Sequence, residues 1–243
     1  MKQEIWTLTE QRQLTHDVFL MKLAGDASHI TRPGQFINIK LDGLFLRRPI
    51  SVCDWDEESV TIIYKVVGRG TEQMSSMKAG EKLDILSGLG NGFDISTSGD
   101  TPVVIGGGVG VPPMYGLAKA LAKKGCRVSA VMGFNTDKDA FFIDEFKKIC
   151  DDVRVTTVDG SLGTRGFVTD ALAQMDYSYL YTCGPEPMLR AVYDKSVSGG
   201  QFSFEERMGW GFGACMGCSC KTKYGNKRIC KDGPVLVKEE IIW

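Results

Sequence analysis

The stretch Pro102-Val103-Val104-Ile105-Gly106-Gly107-Gly108-Val109-Gly110-Val111-Pro112-Pro113-Met114 decides the fold of this chain. It joins a short β-branched run to a helical one through clustered glycines. Glycine lets the main chain pass close to a pyrophosphate, and the following helix offers unpaired N–H groups at its positive end. Prolines suit a first helical turn, where no N–H is needed. The loop is not a strict G-x-G-x-x-G, and a tight turn that binds nothing stays its rival reading. No Gly-Lys-Ser/Thr follows, which excludes a P-loop. Downstream, strands are expected over 127–133, 154–158 and 179–183, alternating with helices over 114–124, 140–149, 168–175 and 187–194. Such alternation predicts a parallel sheet with crossover helices. Tyr181-Thr182-Cys183-Gly184-Pro185-Glu186-Pro187-Met188 ends a strand of that sheet. Ligands of open parallel sheets bind beyond the carboxyl ends of the strands, so this turn and the glycine loop are expected to face one cleft.

Upstream the texture differs. Apolar runs at 18–23, 35–41, 50–53, 60–67 and 82–86 lie between Gly, Pro, Asp and Asn clusters. Short strands at that spacing predict a barrel or sandwich, with one short helix after Gly70, capped by Thr71. Beyond residue 200 the chain holds many glycines, clustered cysteines and little periodicity. The expected units are residues 1–98, 99–199 and 200–243.

Composition sets the outer limits. Of 243 residues, 43% are hydrophobic and 24% charged, which excludes a disordered chain. Lys+Arg 29 against Asp+Glu 30 leaves a net charge of -1, so no global field gathers nucleic acid or anionic lipid. The longest uncharged stretch is broken by glycines and prolines and cannot span a membrane as a helix. The N-terminus lacks an apolar signal segment, and a cytoplasmic location is expected. Four of the 8 cysteines, Cys215, Cys218, Cys220 and Cys230, fall within 16 residues. In a reducing compartment such a cluster points to metal before disulfides.

Two segments of the β region carry chemistry. In Phe45-Leu46-Arg47-Arg48-Pro49-Ile50-Ser51-Val52, an arginine beside a strand can fork onto phosphate and a serine can bond a ring nitrogen. Ile63-Tyr64-Lys65-Val66-Val67-Gly68-Arg69-Gly70-Thr71 adds an aromatic, cations and a glycine-led helix start. A solvated basic turn is the plainer reading of the first segment alone.

These ordered motifs resemble the ferredoxin–NADP reductase superfamily. The resemblance implies an antiparallel β-barrel that binds FAD, followed by a parallel-sheet domain that binds a nicotinamide nucleotide. Arg48 would bind the FAD pyrophosphate and Ser51 would lie near the isoalloxazine. Pro49, Ile50, Ile63, Tyr64, Lys65, Gly70 and Thr71 would complete the flavin site. Gly107, Gly108, Gly110, Cys183, Gly184 and Pro185 would line the nucleotide site. Asp137 and Asp139 follow the 127–133 strand where a 2′-phosphate would need cations, so NAD is expected rather than NADP.

The cysteine segment narrows the resemblance. Plant-type [2Fe–2S] sites use C-x₄-C-x₂-C…C. Cys215, Cys218 and Cys230 fit the last three positions, and Trp210 stands at the first. Cys220 is the expected substitute ligand. A Cys₄ zinc site and a metal-free thiol loop are the alternatives. With Cys230-Lys231-Asp232-Gly233-Pro234-Val235 closing the segment, the chain resembles the electron-transfer subunits of NAD-dependent dihydroorotate dehydrogenase. That resemblance implies an FMN-containing catalytic partner that oxidises dihydroorotate, two copies of each subunit, and electron flow through the cluster and FAD to NAD⁺. Apolar residues of the cysteine loop, Met208, Phe212 and Met216, are expected to face that partner. No general acid or base is expected, and His16 and His29 lie outside every motif. A reductase subunit of a ferredoxin-linked NAD(P) oxidoreductase or hydrogenase, and a non-catalytic redox sensor, are the rival functions.

Overall fold

The computed structural model describes residues 1–243. Six strands close an antiparallel barrel: β1 (Lys2–Gln13), β2 (Val18–Ala24), β3 (Phe36–Lys40), β4 (Arg48–Trp55), β5 (Ser59–Lys65) and β6 (Lys82–Leu89). They run in the order β1-β2-β5-β4-β3-β6, and β1 pairs with both β2 and β6 to complete the cylinder. Closure gives every strand two neighbours, but the β4–β5 ladder stops at Val52 and Ile62, so residues 48–51 and 63–65 keep an unpaired edge across that seam. Alternation sends Ile37, Ile39, Val52, Ile62 and Tyr64 inward, where they meet Trp6, Leu8, Met21 and Leu23. Sequence reading gave no strand at 2–13, because most of its residues are polar and only Trp6 and Leu8 are buried.

Helix α1 (Arg69–Ser75) bridges β5 and β6. It begins two residues before the expected cap. Thr71 sits within the first turn, where its hydroxyl accepts the main-chain N–H of Val67 (2.9 Å) and of Gly68 (3.3 Å).

The second unit contains β7 (Val103–Gly107), α2 (Val111–Lys123), β8 (Ser129–Phe134), α3 (Ile143–Lys147), β9 (Asp152–Thr157), β10 (Thr164–Arg165), α4 (Val168–Leu172), β11 (Leu180–Cys183), α5 (Glu186–Lys195) and β12 (Gly200–Ser203). Helices α3 and α4 are shorter than expected. Past residue 200, β13 (Ser219–Thr222) and β14 (Gly225–Arg228) form a hairpin, and β15 (Val235–Val237) follows. The sheet order is β10-β9-β8-β7-β11-β12-β15, parallel throughout except for β15, which runs antiparallel to β12. The sheet thus takes in two strands from the segment that showed no periodicity.

Helix α2 ties the two units together. Gly116 packs on the Cys53 carbonyl of β4, where a Cβ would stand 2.7 Å from the oxygen, and Lys119 pairs with Asp54 of the same strand at 2.6 Å. Cys53, Val104, Met114 and Leu117 share one apolar cluster across the junction. No helix is long and apolar enough to cross a membrane.

Candidate functional site

The nucleotide cleft follows from strand register. Cys183 of β11 is the direct partner of Gly106 of β7, so the turns leaving these strands emerge side by side. Strand order reverses between β7 and β11, which is the switch point where open sheets bind ligands. The glycines are there for closeness. A Cβ on Gly110 would strike the Cys183 carbonyl, and one on Gly107 would strike the Met188 thioether. Gly108 differs: its φ is +53° and a Cβ there would meet nothing, so its face is open to an incoming group. Pro185 caps α5 and Pro112 and Pro113 lie in the first turn of α2, so both helix starts point at this cleft. Burial pushes the Cys183 thiol up to about 12, which keeps it protonated and inert. Asp139 is occupied as a turn cap, accepting from Thr136 N–H (3.1 Å) and its hydroxyl (3.0 Å). Asp137 stays exposed at the mouth of the next turn.

On the barrel, Arg47 and Arg48 have different fates. Arg47 pairs with Asp84 at 3.0 Å. Arg48 donates only to the carbonyls of Leu46 and Arg47 and has no carboxylate partner. Its side chain lies over Gly70, whose missing Cβ makes the room. A half-buried guanidinium without a counter-ion beside a glycine-led turn fits a diphosphate. Pro49 and Ser51 lie opposite Asn38 and Phe36 on the outer face of the barrel, while Ile50 packs against its core. Ile63 also faces outward, into the junction cluster. Tyr64 points into the barrel, stacks on Phe19 and accepts from Gln11 at 3.0 Å. Only its main chain is left for a ligand. Lys65 is neutralised by Asp17 at 3.0 Å, so it brings no free cation.

The cysteine loop is built unevenly. Cys218 and Cys230 are buried with their sulfurs 3.2 Å apart. Burial and the neighbouring Cys218 push the Cys230 thiol up to about 11. Cys215 is the reverse case: main-chain N–H groups of Gly217 and Trp210 hold its thiol below the usual value. Each iron of a [2Fe–2S] cluster takes two protein ligands. Cys218 and Cys230 would suit one such pair, and Cys215 would supply half of the other. Trp210 does not complete it, because its indole is no iron ligand and lies 54% exposed against Phe45. Cys220 stands apart on β13, bonded to the Lys221 carbonyl, with Glu206, Glu186 and Glu240 as its charged neighbours. No three His, Cys, Asp or Glu side chains are gathered round a single point, as one metal ion would require.

Comparison with known proteins agrees with this layout. The iron-sulfur cluster binding domain of dihydroorotate dehydrogenase B matches residues 205–242, and the oxidoreductase NAD-binding domain matches residues 104–194. The dihydroorotate dehydrogenase B (NAD⁺) electron transfer subunit of Fusobacterium nucleatum is 41% identical, over 99% of both chains. Its counterpart in Shouchella clausii is 39% identical, over 99% of this chain and 98% of the relative. The chain belongs to this family. Members are oxidoreductase subunits that pass electrons to NAD⁺ beside a catalytic subunit, using FAD and an iron–sulfur cluster. A chain in the structure of an NADH-dependent reduced ferredoxin–NADP oxidoreductase superposes with a TM-score of 0.90 at 31% identity, covering 99% of this chain and 90% of that one. A Neisseria gonorrhoeae ferredoxin NADP⁺ reductase superposes at 0.70 with 13% identity, covering 80% and 90%, which speaks for the fold alone.

Sequence reading missed Asn38, the one barrel side chain that bonds the Trp210 carbonyl of the cysteine loop. An asparagine in an apolar strand, Phe-Ile-Asn-Ile, was the available signal.

Proposed function

We propose that this electron-transfer subunit receives electrons from an FMN-containing catalytic subunit that oxidises dihydroorotate, in an assembly of two copies of each, and delivers them to NAD⁺ in the cytoplasm. The observation that carries the reading is the shared helix α2. It starts at the nucleotide cleft and packs Gly116 on the flavin-motif strand β4, so the two sites have one rigid neighbour. Bound at the barrel, FAD supplies the conversion between hydride pairs and the single electrons of a cluster, because nicotinamide accepts only a hydride.

The chain's own residues do the positioning. Arg48 binds the diphosphate, with Gly70 and Thr71 shaping the turn beneath it. Pro49, Ile50 and Ser51 present the edge of β4 to the ring system, and the main chain at Ile63, Tyr64 and Lys65 lines its other side. Gly107, Gly108 and Gly110 let the nicotinamide nucleotide approach, and Cys183, Gly184 and Pro185 close the facing wall. Cys215, Cys218 and Cys230 hold the cluster. Cys220 completes it only if the β13 end of the hairpin shifts. The division into residues 1–98, 99–199 and 200–243 follows these three tasks. No side chain is needed as a general acid or base.

Exposed Phe45, Trp210 and Met216 lie beside the cysteine loop and suit an apolar partner surface. Replacing Met216 and Phe45 with serine should weaken assembly with the catalytic subunit without loss of FAD; unchanged assembly would count against that surface. The function itself is tested by reconstitution with the catalytic subunit. Dihydroorotate-dependent NAD⁺ reduction is expected. Its absence, while the catalytic subunit still reduces an artificial acceptor, would overturn the proposal. The likeness to the ferredoxin-linked structure favours a second reading, in which reduced ferredoxin supports NAD⁺ reduction without dihydroorotate.

A further inference from the structure

We infer that Asn38 is a positioning residue that holds the cysteine loop against the flavin face of the barrel. The inference rests on the proposed cluster at Cys215, Cys218 and Cys230.

Asn38 lies on β3 and is 1% exposed. Its neighbours Ile37 and Ile39 point into the barrel core, so alternation turns Asn38 outward with Phe36, which shares an apolar cluster with Cys218 and Cys230. Strand pairing sets Asn38 opposite Pro49 and Phe36 opposite Ser51. Opposite residues of an antiparallel pair share a face. Asn38 and Ser51 are therefore diagonal neighbours on one surface, about 7–8 Å apart.

From that surface the Asn38 Nδ2 donates to the Trp210 carbonyl at 3.1 Å. The next residue, Gly211, has a φ of +78°, and a Cβ there would strike the Asn38 carboxamide. The loop thus comes as close to Asn38 as glycine alone allows. The backbone of Asn38 is held as well: Arg47, fixed by Asp84, donates to its carbonyl at 3.4 Å. The amide orientation is set by this bond, because the flipped form would put two oxygens together. The Asn38 Oδ1 then remains buried without a donor. A native fold seldom tolerates a buried amide oxygen unpaired, and this one lies where the loop and the flavin strand meet. One residue before Trp210, a Cβ on Gly209 would stand 3.5 Å from the Cys215 sulfur, so the segment that Asn38 holds also lies against a cysteine of the proposed cluster.

The test compares anaerobically prepared full-length protein with Asn38→Leu, Gly211→Ala and Ile39→Val. Readouts are the EPR spectrum of the dithionite-reduced cluster, its midpoint potential, and FAD content. Asn38→Leu removes the bond, and Gly211→Ala pushes the loop off the carboxamide. Both should broaden or shift the EPR signal and move the potential, with FAD content within twofold of wild type. Ile39→Val, on the opposite face of the same strand, should lower thermal stability and leave the spectrum unchanged. An unaltered spectrum and potential in both loop-facing variants would overturn the inference, and Gly211→Ala decides alone if Asn38→Leu does not fold. A wild-type chain with FAD but no cluster signal would overturn the cluster reading, and the inference with it.

Discussion

At the residue scale, two adjacent arginines with identical chemistry do different work because of one distant carboxylate. Asp84 neutralises Arg47 and leaves Arg48 without a charged partner. Losing a charge-assisted bond to a diphosphate costs about 1.5–3 kcal/mol, or roughly ten- to a hundredfold in affinity. Arg48→Ala should weaken FAD binding by that much in a titration of the flavin-free protein. Arg47→Ala should lower barrel stability with little effect on FAD affinity, and equal weakening by both would contradict the assignment. The sequence showed the arginine pair and the serine three residues on, but no local signal separates the two cations. Their difference lies in a partner 37 positions away. The same holds for Tyr64 and Lys65, whose side chains the structure commits to the barrel core and to Asp17, leaving their main chain for a flavin.

At the scale of elements, the hairpin β13–β14 carries Cys220 and is flanked by Cys218 and Cys230. Two strands of four residues are marginal alone and need an anchor. Glu240, 4% exposed, supplies it: its carboxylate pairs with Lys227 and accepts from Val237 N–H at 3.0 Å, while its carbonyl accepts from Lys223 N–H at 2.9 Å. Glu240→Ala removes the ion pair to Lys227 and the bond from the Val237 N–H, at a cost of about 1–2 kcal/mol. Hydrogen exchange should accelerate across 219–228 before it does in the barrel; unchanged protection there would contradict the anchoring. The Glu240 anchor was not legible in the sequence, because it lies 13 positions from Lys227 and strands of three or four residues leave no periodicity to read. The longer elements were legible: the 127–133 and 179–183 runs and helix α2 lie within a few residues of their expected places.

At the scale of the whole molecule, burial makes stability depend on alkaline pH. Burial pushes the Cys150 and Cys183 thiols and the Tyr64 hydroxyl up to about 12. The folded protein holds these protons more tightly than the unfolded chain, whose thiols titrate near 9 and phenols near 10. Their contribution is therefore full below about pH 9 and is lost as pH rises towards 12. The melting temperature should fall steadily above about pH 9, and a constant value to about pH 11 would contradict the burial of these groups. Two-unit organisation was visible in the change from closely spaced strands to alternating strands and helices. The join was not, since it depends on Gly116 and Lys119 meeting β4 across the chain.

With these assignments, flavin and cluster lie on one electron path to the nucleotide cleft. Anaerobic addition of NADH to the isolated subunit, followed by absorption and EPR together, tests it most directly. Bleaching of the yellow flavin absorption is expected, together with a reduced iron–sulfur signal that Arg48→Ala diminishes. Flavin reduction without any cluster signal, or a protein that binds no FAD, would contradict it.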